Sequence, residues 1–204
     1  KIISSLDSSL IDFEDELSIY DAGSTSRFEQ YKKRKKERET KKIIGIPTPF
    51  KTINHTGVGW QRGELITVFA DTGVGKTWIC LKVAAIALRH GFKVLFISSE
   101  MPKTQIEMRL DVLLGNMMGY EFSHKALRRG DPIDEEKYKE FLSKANFKRL
   151  LACDSIDKNS ITLPGIISLV RKHKPDFVVL DAVYLVLPDN TGRNRATWER
   201  MFNI

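Results

Sequence analysis

Apolar residues beyond about residue 43 fall into two alternating patterns along the chain. Short, nearly continuous apolar runs predict strands at 65–70, 93–98, 149–154 and 176–187. Apolar residues at helical spacing predict helices at 76–90, 102–118 and 160–173, and residues 120–148 carry charged helical patterns broken at Gly130-Asp131-Pro132. This alternation predicts an α/β fold with a mostly parallel central sheet flanked by helices, and it places ligand chemistry at the carboxyl ends of the strands.

The first 42 residues lack this alternation. Leu10, Phe13 and Leu17 fall at helical spacing, which predicts a short amphipathic helix with an acidic outer face. Residues 28–40 are a basic helix candidate without a full apolar stripe, so they cannot bury enough surface to be stable alone. Because two prolines follow within residues 45–50, we divide the chain into a helical, charged linker arm at 1–42 and a compact domain at 43–204.

Composition describes an ordinary globular chain. Its 204 residues, 42% hydrophobic and 29% charged, have room for one substantial core with appendages. No apolar run approaches the roughly 20 residues that span a bilayer, and the acidic start lacks the features of a secretory signal. We therefore expect a cytoplasmic protein with no membrane partner. Cys80 and Cys153 are expected to be buried, reduced thiols.

The net charge of +7 is unevenly spread. Residues 1–21 hold one lysine and six acidic residues, whereas residues 32–42 hold eight basic and two acidic residues. The basic run would suit a DNA-contacting arm, and binding would then depend steeply on salt. It would also suit a solvated linker face that pairs with the acidic segment 7–21. Because Glu37 and Glu39 interrupt the run at helix-pair distances, we favour the linker.

The segment from Glu64 to Leu81 joins a predicted strand, a glycine-rich turn and a predicted helix. In this context, the turn is typical of a phosphate-binding loop of the Walker A kind. Its glycines allow successive backbone N–H groups and the helix N-terminus to face a phosphate. Lys76 would reach the β- and γ-phosphates of ATP, and the Thr77 hydroxyl would ligate Mg²⁺. The predicted nucleotide-binding residues are Ala70, Asp71, Thr72, Gly73, Val74, Gly75, Lys76, Thr77 and Trp78.

Carboxylates follow two of the other predicted strands. Glu100 comes after the run FISS, where we predict that it orients the attacking water or accepts its proton. The alternative, a solvated glutamate that caps the next helix, is equally compatible with the spacing. Asp181 closes the apolar run FVVLD and is predicted to hold Mg²⁺ beside Thr77. Because a buried charge without a partner is costly, a functional role is favoured for Asp181.

Arginines and tryptophans are the candidates for contacts with nucleic acid. Arg193 and Arg195 lie in a polar loop at 188–195 that would project from the same sheet edge, although its composition also fits a solvent loop without function. Trp60, Trp78 and Trp198 are candidates for stacking on bases. For Trp78, apolar neighbours favour packing of the ring in the core.

Together, these residues resemble the ATPase domain of the DnaB-type replicative DNA helicases of bacteria and phages, within the RecA-like superfamily. The similarity covers about residues 43–204 and includes the lead-in IGIPTPFKTINHTGVGWQRGELITV, the loop ADTGVGKT, and VVLDAVYLVL followed by GRNRATWERM. Its most distinctive part is FISSEMPKTQIEMRL, in which Glu-Met is followed by Gln105 and Arg109 on the next helix.

The resemblance implies a role for each candidate residue. Lys76 and Thr77 would bind phosphate and Mg²⁺, Glu100 would activate water, and Asp181 would support the metal. The loop 188–195 would be a central-channel loop that binds single-stranded DNA. The family also implies a homo-hexameric ring, assembled through the linker helix and the ATPase interface, with a primase or a helicase loader as a further partner.

The chain departs from the family pattern in two places. Ala182-Val183-Tyr184 stands where the family commonly has Tyr-Leu-Gln, so Tyr184 would have to replace the family's glutamine by stacking or hydrogen bonding. The family's later strand, polar sensor and arginine finger would follow Ile204. We therefore interpret the chain as a helicase core truncated at its C-terminus, and we expect weak or no turnover from it alone.

Three functions follow from this interpretation. The leading hypothesis is an ATP-dependent replicative helicase that translocates on single-stranded DNA as a ring and unwinds duplex. The first alternative is a RecA-like recombinase or loader ATPase that assembles on DNA without unwinding it. The second is a nucleotide-binding fragment without turnover. Strand displacement on a forked substrate separates the first two, and ATP turnover separates both from the third.

Overall fold

The computed structural model describes residues 26–41, 43–145, 147–154 and 161–183. The chain divides into two units, Lys1–Lys42 and Ile43–Ile204. In the first unit, the described residues form helix α1, Ser26–Thr40, none of whose residues is buried. The amphipathic helix predicted around Leu10 and Leu17 lies outside the described residues.

Helices and strands alternate along the second unit, as predicted. The helices are α2 Lys51–His55, α3 Lys76–Arg89, α4 Lys103–Met118, α5 His124–Arg129, α6 Glu135–Lys144 and α7 Leu163–His173, with a 3₁₀ turn at Phe147–Arg149. The strands are β1 Val94–Ser98, β2 Leu150–Asp154 and β3 Phe177–Asp181. The helices predicted at 28–40, 76–90, 102–118 and 160–173 are therefore confirmed, with their ends shifted by at most a few residues.

The three described strands form one parallel sheet in the order β2-β1-β3. Ser98, the last residue of β1, lies opposite Asp154 on one side and Asp181 on the other. Since the strands are parallel and end at the same level, the residues that follow them collect at one edge of the sheet. The predicted α/β class with a mostly parallel sheet is confirmed.

Strand β1 is the centre of the core and is buried along its whole length. Val94 and Phe96 belong to a cluster with apolar residues of α3 and α4, whereas Leu95 and Ile97 belong to a second cluster with residues of α7. Alternate residues of a strand point to opposite faces of the sheet. Both faces of the sheet are therefore covered by helices, which explains why β1 reads as a continuous apolar run.

The strand predicted at 65–70 is wrong. Residues 64–70 have no regular secondary structure, and the side chains of Leu65 and Phe69 are 93% and 88% exposed. An apolar run becomes a strand only when a neighbouring strand satisfies its backbone N–H and C=O groups, and this run is paired with none of the three described strands. Of the two elements predicted to flank the phosphate-binding loop, a strand before it and a helix after it, the described structure contains only the helix, α3.

The strand predicted at 176–187 is shorter than expected. Strand β3 ends at Asp181, and residues 182 and 183 form a turn. The backbone N–H of Ser99 donates to the carbonyl of Asp181 at 2.8 Å, which is the last contact that continues the pairing of β1 with β3. Residues 184–187 lie outside the described residues.

Aromatic rings organise the region between β1 and β2. Tyr120, Phe122, Tyr138 and Phe141 contact one another with ring centroids 5.1–6.2 Å apart. Helix α4 approaches this cluster closely because it carries Gly115, where a Cβ atom would lie 2.8 Å from the ring of Phe122. The charged helical patterns of 120–148 are thus attached to the core by aromatic residues on their inner side.

Asp111 is a buried carboxyl group in this region, and its titration should be visible in the stability of the fold. Its carboxylate accepts a hydrogen bond from the hydroxyl of Tyr138 at 2.5 Å. Burial is the main cause that raises the pKa of Asp111 to about 6. Because the folded pKa exceeds that of the unfolded chain, the carboxyl group favours folding most at low pH. This contribution is lost as pH rises towards about 6.

Asp111→Asn is therefore expected to gain stability relative to the original chain as pH rises. Between pH 5 and pH 7.5, the difference in unfolding free energy should shift in favour of the variant by about 1 kcal/mol, since each pKa unit corresponds to about 1.4 kcal/mol. Urea denaturation at the two pH values measures this difference. Glu136→Gln on the exposed face of α6 is the control, and an equal shift for both variants would contradict the prediction.

Two further features of the described residues concern helix length and the cysteines. No helix in the described parts of the chain is long and apolar enough to cross a membrane. Cys80 and Cys153 are both free and half-buried. Burial raises the pKa of the Cys80 thiol to about 11, so that thiol is uncharged at neutral pH.

Candidate nucleotide-binding site

The phosphate-binding loop leads directly into α3. Gly73 and Gly75 have φ angles of 83° and 102°, in the left-handed region that favours glycine, and Gly75 is the N-cap of α3. A Cβ atom at either glycine would meet nothing within 4 Å, so their concave side is open. The first turn of a helix leaves its N–H groups without intrahelical partners. The loop thus offers backbone donors at the positive end of a helix to an anion.

Lys76 is folded over this loop. Its ammonium group donates to the carbonyl oxygens of Ala70 at 2.6 Å and of Asp71 at 2.9 Å. Both contacts are exposed to solvent and are made within the loop itself. They hold the positive charge of Lys76 at the mouth of the loop. Phosphate oxygens at the same position would be stronger acceptors than these carbonyl groups, because they carry charge.

Asp181 lies at the carboxyl end of β3, level with Ser98, and is 6% exposed. Burial is the largest cause that raises the pKa of its carboxyl group, and the nearby Glu100 raises it further. The nearby Thr77 hydroxyl and the charges of Arg109 and Lys76 act in the opposite direction on this pKa. The fold therefore brings Lys76, Thr77, Glu100 and Asp181 together from three separate parts of the chain.

The donor set at Asp181 fits a hydrated Mg²⁺. The Oδ2 atom of Asp181 is buried and has no hydrogen-bond partner among the described residues, and the Thr77 hydroxyl lies beside the same carboxylate. Mg²⁺ is usually held by one or two protein oxygens together with water and substrate phosphates. The described residues contain no group of three or more His, Cys, Asp and Glu side chains that could hold a metal. A cation here would therefore depend on the nucleotide for part of its coordination.

Glu100 is exposed in the turn between β1 and α4. The turn is fixed on both sides of it, since Ser99 N–H donates to Asp181 and Met101 N–H donates to the Ser98 hydroxyl at 3.0 Å. The carboxylate that accepts from the first N–H of α4 belongs to Asp154, at 2.7 Å from Lys103. Asp154 thus contributes to the capping of α4, and the catalytic role of Glu100 stays a prediction.

Trp78, Arg109 and His124 form a cluster beside the loop that the sequence did not reveal. The Arg109 guanidinium lies 5.1 Å from the Trp78 ring centroid, and the His124 ring meets the same indole edge-on at 5.5 Å. Burial, then the charges of Arg109 and Arg128, lower the pKa of His124. The Trp78 ring therefore packs against polar side chains, and it does not belong to the described apolar clusters where core packing would have placed it.

The remaining predicted site residues are not part of this arrangement. Arg193, Arg195, Tyr184 and Trp198 lie outside the described residues. Trp60 stacks on Phe177 at 5.9 Å and contributes to the core, so it is not free for base stacking. A groove of about 670 Å³ runs along β2 between α4 and α6, and it shares no residue with the predicted nucleotide site.

Comparison with known proteins identifies the family of the chain. The sequence profile of the family described as DnaB-like helicase C terminal domain matches residues 45–200. This match covers most of the second unit, including the phosphate-binding loop, Glu100 and Asp181. The chain belongs to this family. The expected relationship to the DnaB-type helicases is thereby confirmed.

Individual members of the family are similar over much of the chain. A probable plasmid replicative DNA helicase of Chlamydia trachomatis is 28% identical over 190 residues, which cover 87% of this chain and 40% of that protein. The replicative DNA helicase DnaB of Geobacillus stearothermophilus is 30% identical over 159 residues, 75% of this chain and 33% of that protein. The chain thus spans less than half the length of either relative.

A solved structure shares the fold. It is the structure of a DnaB-like replicative helicase and its interactions with primase, and it aligns with a TM-score of 0.62 and 23% identity. The alignment covers 97% of this DnaB-like chain and 48% of the other. The RecA-like architecture expected from the sequence is supported by this likeness.

Asp181 is expected to destabilise the fold of this DnaB-like domain in the absence of ligand. Because burial raises its pKa, the ionised carboxylate is disfavoured in the folded state, and its contribution to stability falls as pH rises through the folded pKa. Asp181→Asn should therefore raise the unfolding free energy by about 1 kcal/mol at pH 7.5 without nucleotide, as at other functional sites that trade stability for activity.

If Mg²⁺-ATP stabilises the original chain against heat, the same variant should lose that gain. Thermal unfolding with and without Mg²⁺-ATP measures both effects, with Glu136→Gln as the exposed carboxylate control. A variant that is less stable without ligand, or that still responds to Mg²⁺-ATP like the original chain, would contradict the role given to Asp181.

Proposed function

We propose that this chain is the motor domain of an ATP-dependent replicative DNA helicase. The proposal rests on membership of the DnaB-like family together with one observation of the site. The buried Asp181 carboxylate, whose Oδ2 atom has no partner among the described residues, lies beside the Thr77 hydroxyl and within electrostatic reach of Lys76 and Glu100. These four side chains would supply the cation, the hydroxyl and the two carboxylates that phosphoryl transfer uses.

Each of the four residues has a distinct role in this proposal. The phosphate-binding loop and Lys76 hold the β- and γ-phosphates of ATP, with Lys76 exchanging its contacts to Ala70 and Asp71 for phosphate oxygens. Glu100 orients the attacking water and takes up its proton. Thr77 and Asp181 hold Mg²⁺, which when bound neutralises charge on the phosphates.

The turn at Ser98–Met101 links the water-activating residue to the central strand of the sheet. Glu100 is held between the backbone contact of Ser99 to β3 and the buried side chain of Met101, which is 8% exposed. A change at the γ-phosphate would therefore act on β1 and β3 together. We propose that hydrolysis moves the DNA-contacting loop that follows β3 in sequence, at residues 188–195, through this edge of the sheet.

The partners of the domain follow from the same proposal. Single-stranded DNA would contact Arg193 and Arg195, and the domain would work in a homo-hexameric ring with nucleotide between subunits. The linker arm at 1–42 would help to assemble that ring. A primase is a further candidate partner, since the structural neighbour is a DnaB-like helicase described with its interactions with primase. The site of action would be the cytoplasm, in a bacterial host if the protein is viral.

Strand displacement tests this function directly. The protein in its natural length is incubated with a forked DNA substrate that carries a fluorophore and a quencher, together with Mg²⁺ and ATP. We expect strand separation with ATP, and none with a non-hydrolysable ATP analogue or with a blunt duplex. ATP turnover stimulated by single strands without any displacement would contradict the helicase function and favour the recombinase or loader alternative.

A further inference from the structure

The basic run of the first unit is a continuous helix in the structure, and this changes how its charges are arranged. Helix α1 spans Ser26–Thr40 and has no buried residue. With 3.6 residues per turn, side chains spaced by three or four residues share one face. Arg27, Tyr31, Arg34, Lys35 and Arg38 are spaced in this way and fall within an arc of about 100°. We name these five residues the arginine stripe.

The acidic residues of the helix lie outside the stripe. Glu29, Glu37 and Glu39 all fall on the remaining part of the helix circumference, as do the three other lysines. Lys32 pairs with Glu29 there at 3.0 Å. The glutamates therefore interrupt the basic run in sequence but not on the stripe, and one side of the helix is uniformly positive.

The stripe also carries an exposed aromatic ring. Phe28 and Tyr31 stack on each other with centroids 6.3 Å apart, and each is 59% exposed. Two large rings held in contact on a polar, unburied helix provide a surface on which an unpaired base could stack. A solvated linker face would need neither the rings nor the separation of arginine from glutamate.

The kinds of basic residue differ between the two sides. Three of the four cations on the stripe are arginines, whereas Lys32, Lys33 and Lys36 lie on the glutamate side. An arginine guanidinium can donate two parallel hydrogen bonds to a phosphate, while a lysine acts as a point charge. The stripe thus has the chemistry of a phosphate-binding surface, and the other side has the chemistry of a solvated helix with internal ion pairs.

We propose that the arginine stripe of α1 binds the backbone of single-stranded DNA, with Tyr31 stacking on a base. This proposal rests on the proposed function for the choice of DNA as the polyanion, and it adds a contact surface separate from the loop at 188–195. Arg27, Arg34 and Arg38 each neutralise a phosphate. Binding through the stripe does not depend on nucleotide, because none of its residues belongs to the ATP site.

Two matched triple variants of the whole chain test the stripe. The first, Arg27→Gln, Arg34→Gln and Arg38→Gln, removes three charges from the stripe. The second, Lys32→Gln, Lys33→Gln and Lys36→Gln, removes three charges from the other side of the same helix. Fluorescence anisotropy with a labelled oligothymidine is measured from 50 to 300 mM NaCl without nucleotide. Circular dichroism confirms that helix content is equal in all three proteins.

The slope of log Kd against log salt concentration is the decisive quantity. Each phosphate neutralised on a single strand contributes about 0.7 to this slope, so the arginine variant should lose about 2 and the lysine variant much less. Tyr31→Ala should weaken binding to the single strand roughly tenfold, and Tyr31→Phe, which keeps the ring, should not. These two Tyr31 variants should bind a blunt duplex equally.

Two outcomes would overturn the stripe. Equal slopes for the two triple variants would show that only total charge matters. An unchanged slope for the arginine variant, together with a change in the mass of the particle in solution, would assign the stripe to ring assembly, the role already proposed for the linker arm, and not to DNA. In either case, DNA binding by the original chain and unwinding by the natural-length protein would leave the proposed function standing. Failure of the original chain to bind single strands at 50 mM NaCl would count against both.

Discussion

Lys76→Ala is expected to weaken ATP binding by roughly 100-fold, which corresponds to about 2.7 kcal/mol. The ammonium group of Lys76 is already held at the mouth of the loop by the carbonyl groups of Ala70 and Asp71. Its transfer to phosphate replaces two neutral acceptors with charged ones, so most of the benefit appears only when nucleotide is bound. The variant should therefore fold normally and fail in binding.

Titration with a fluorescent ATP analogue in the presence of Mg²⁺ measures the loss. Lys82→Ala is the matched control, because Lys82 is an exposed lysine on the same helix, α3. It should bind the analogue like the original chain. A Lys76→Ala variant that retains affinity would contradict the identification of residues 70–78 as the nucleotide site, however well the fold matches the family.

The long helices α3, α4 and α7 of this domain were predictable because they are specified locally, whereas the short helix α2 was not predicted. Helix α3 begins after Gly75 and ends before Gly91, and α7 has Thr162 as its N-cap with Pro164 in its first turn. The Thr162 hydroxyl accepts from Gly165 N–H at 3.2 Å, as expected for a cap. Such signals lie within a few residues of the helix ends, so the sequence alone contains them.

Strands were less predictable, since a strand needs a partner that is distant in sequence. The runs at 65–70 and 93–98 are similarly apolar, yet only the second is buried between two neighbours. Residues 94–98 pair with β2 and β3, which follow about 55 and 80 residues later in the chain. The local pattern of apolar residues indicates that a segment would be stable as a buried strand. It does not indicate whether a neighbouring strand is present to pair with it.

The candidate site was predictable in its residues but not in all its contacts. Glu100 and Asp181 each follow an apolar run, and the parallel sheet brings the ends of β1 and β3 level. The contact of Trp78 with Arg109 joins α3 to α4 across more than 30 residues of sequence, and no local signal indicates it. Arg109 was marked only by its place in the family-like run FISSEMPKTQIEMRL.

The burial of polar atoms at the sheet edge is consistent with a site built for a ligand. Among the described residues, Ser99 Oγ, Arg109 Nε and Asp181 Oδ2 are the buried side-chain polar atoms without a hydrogen-bond partner. All three belong to residues in or beside the cluster around Asp181, and an unsatisfied buried polar atom typically costs about 1–3 kcal/mol. The fold thus concentrates its unpaired polar groups where nucleotide, water and Mg²⁺ are proposed to bind.

Glu100→Gln is expected to lower ATP turnover roughly 1,000-fold while leaving the affinity for ATP nearly unchanged. The amide keeps the size of the side chain and its ability to orient a water molecule, but it cannot take up the proton of that water. Loss of the Glu100 charge also removes one of the causes that raise the pKa of Asp181. Asp181 is then ionised more readily, so the binding of Mg²⁺ and ATP should not suffer.

Steady-state phosphate release and equilibrium binding of ATP, measured on the natural-length protein with single-stranded DNA, separate the two effects. Glu107→Gln, on the exposed side of α4, is the control and should retain turnover. Equal losses in binding and turnover would mean that Glu100 shapes the turn between β1 and α4 rather than acting on water. Retention of turnover would contradict the proton-accepting role of Glu100 and assign that role to another group. Asp181 and Asp154 would be poor candidates for it, because Asp181 is buried and Asp154 contacts α4.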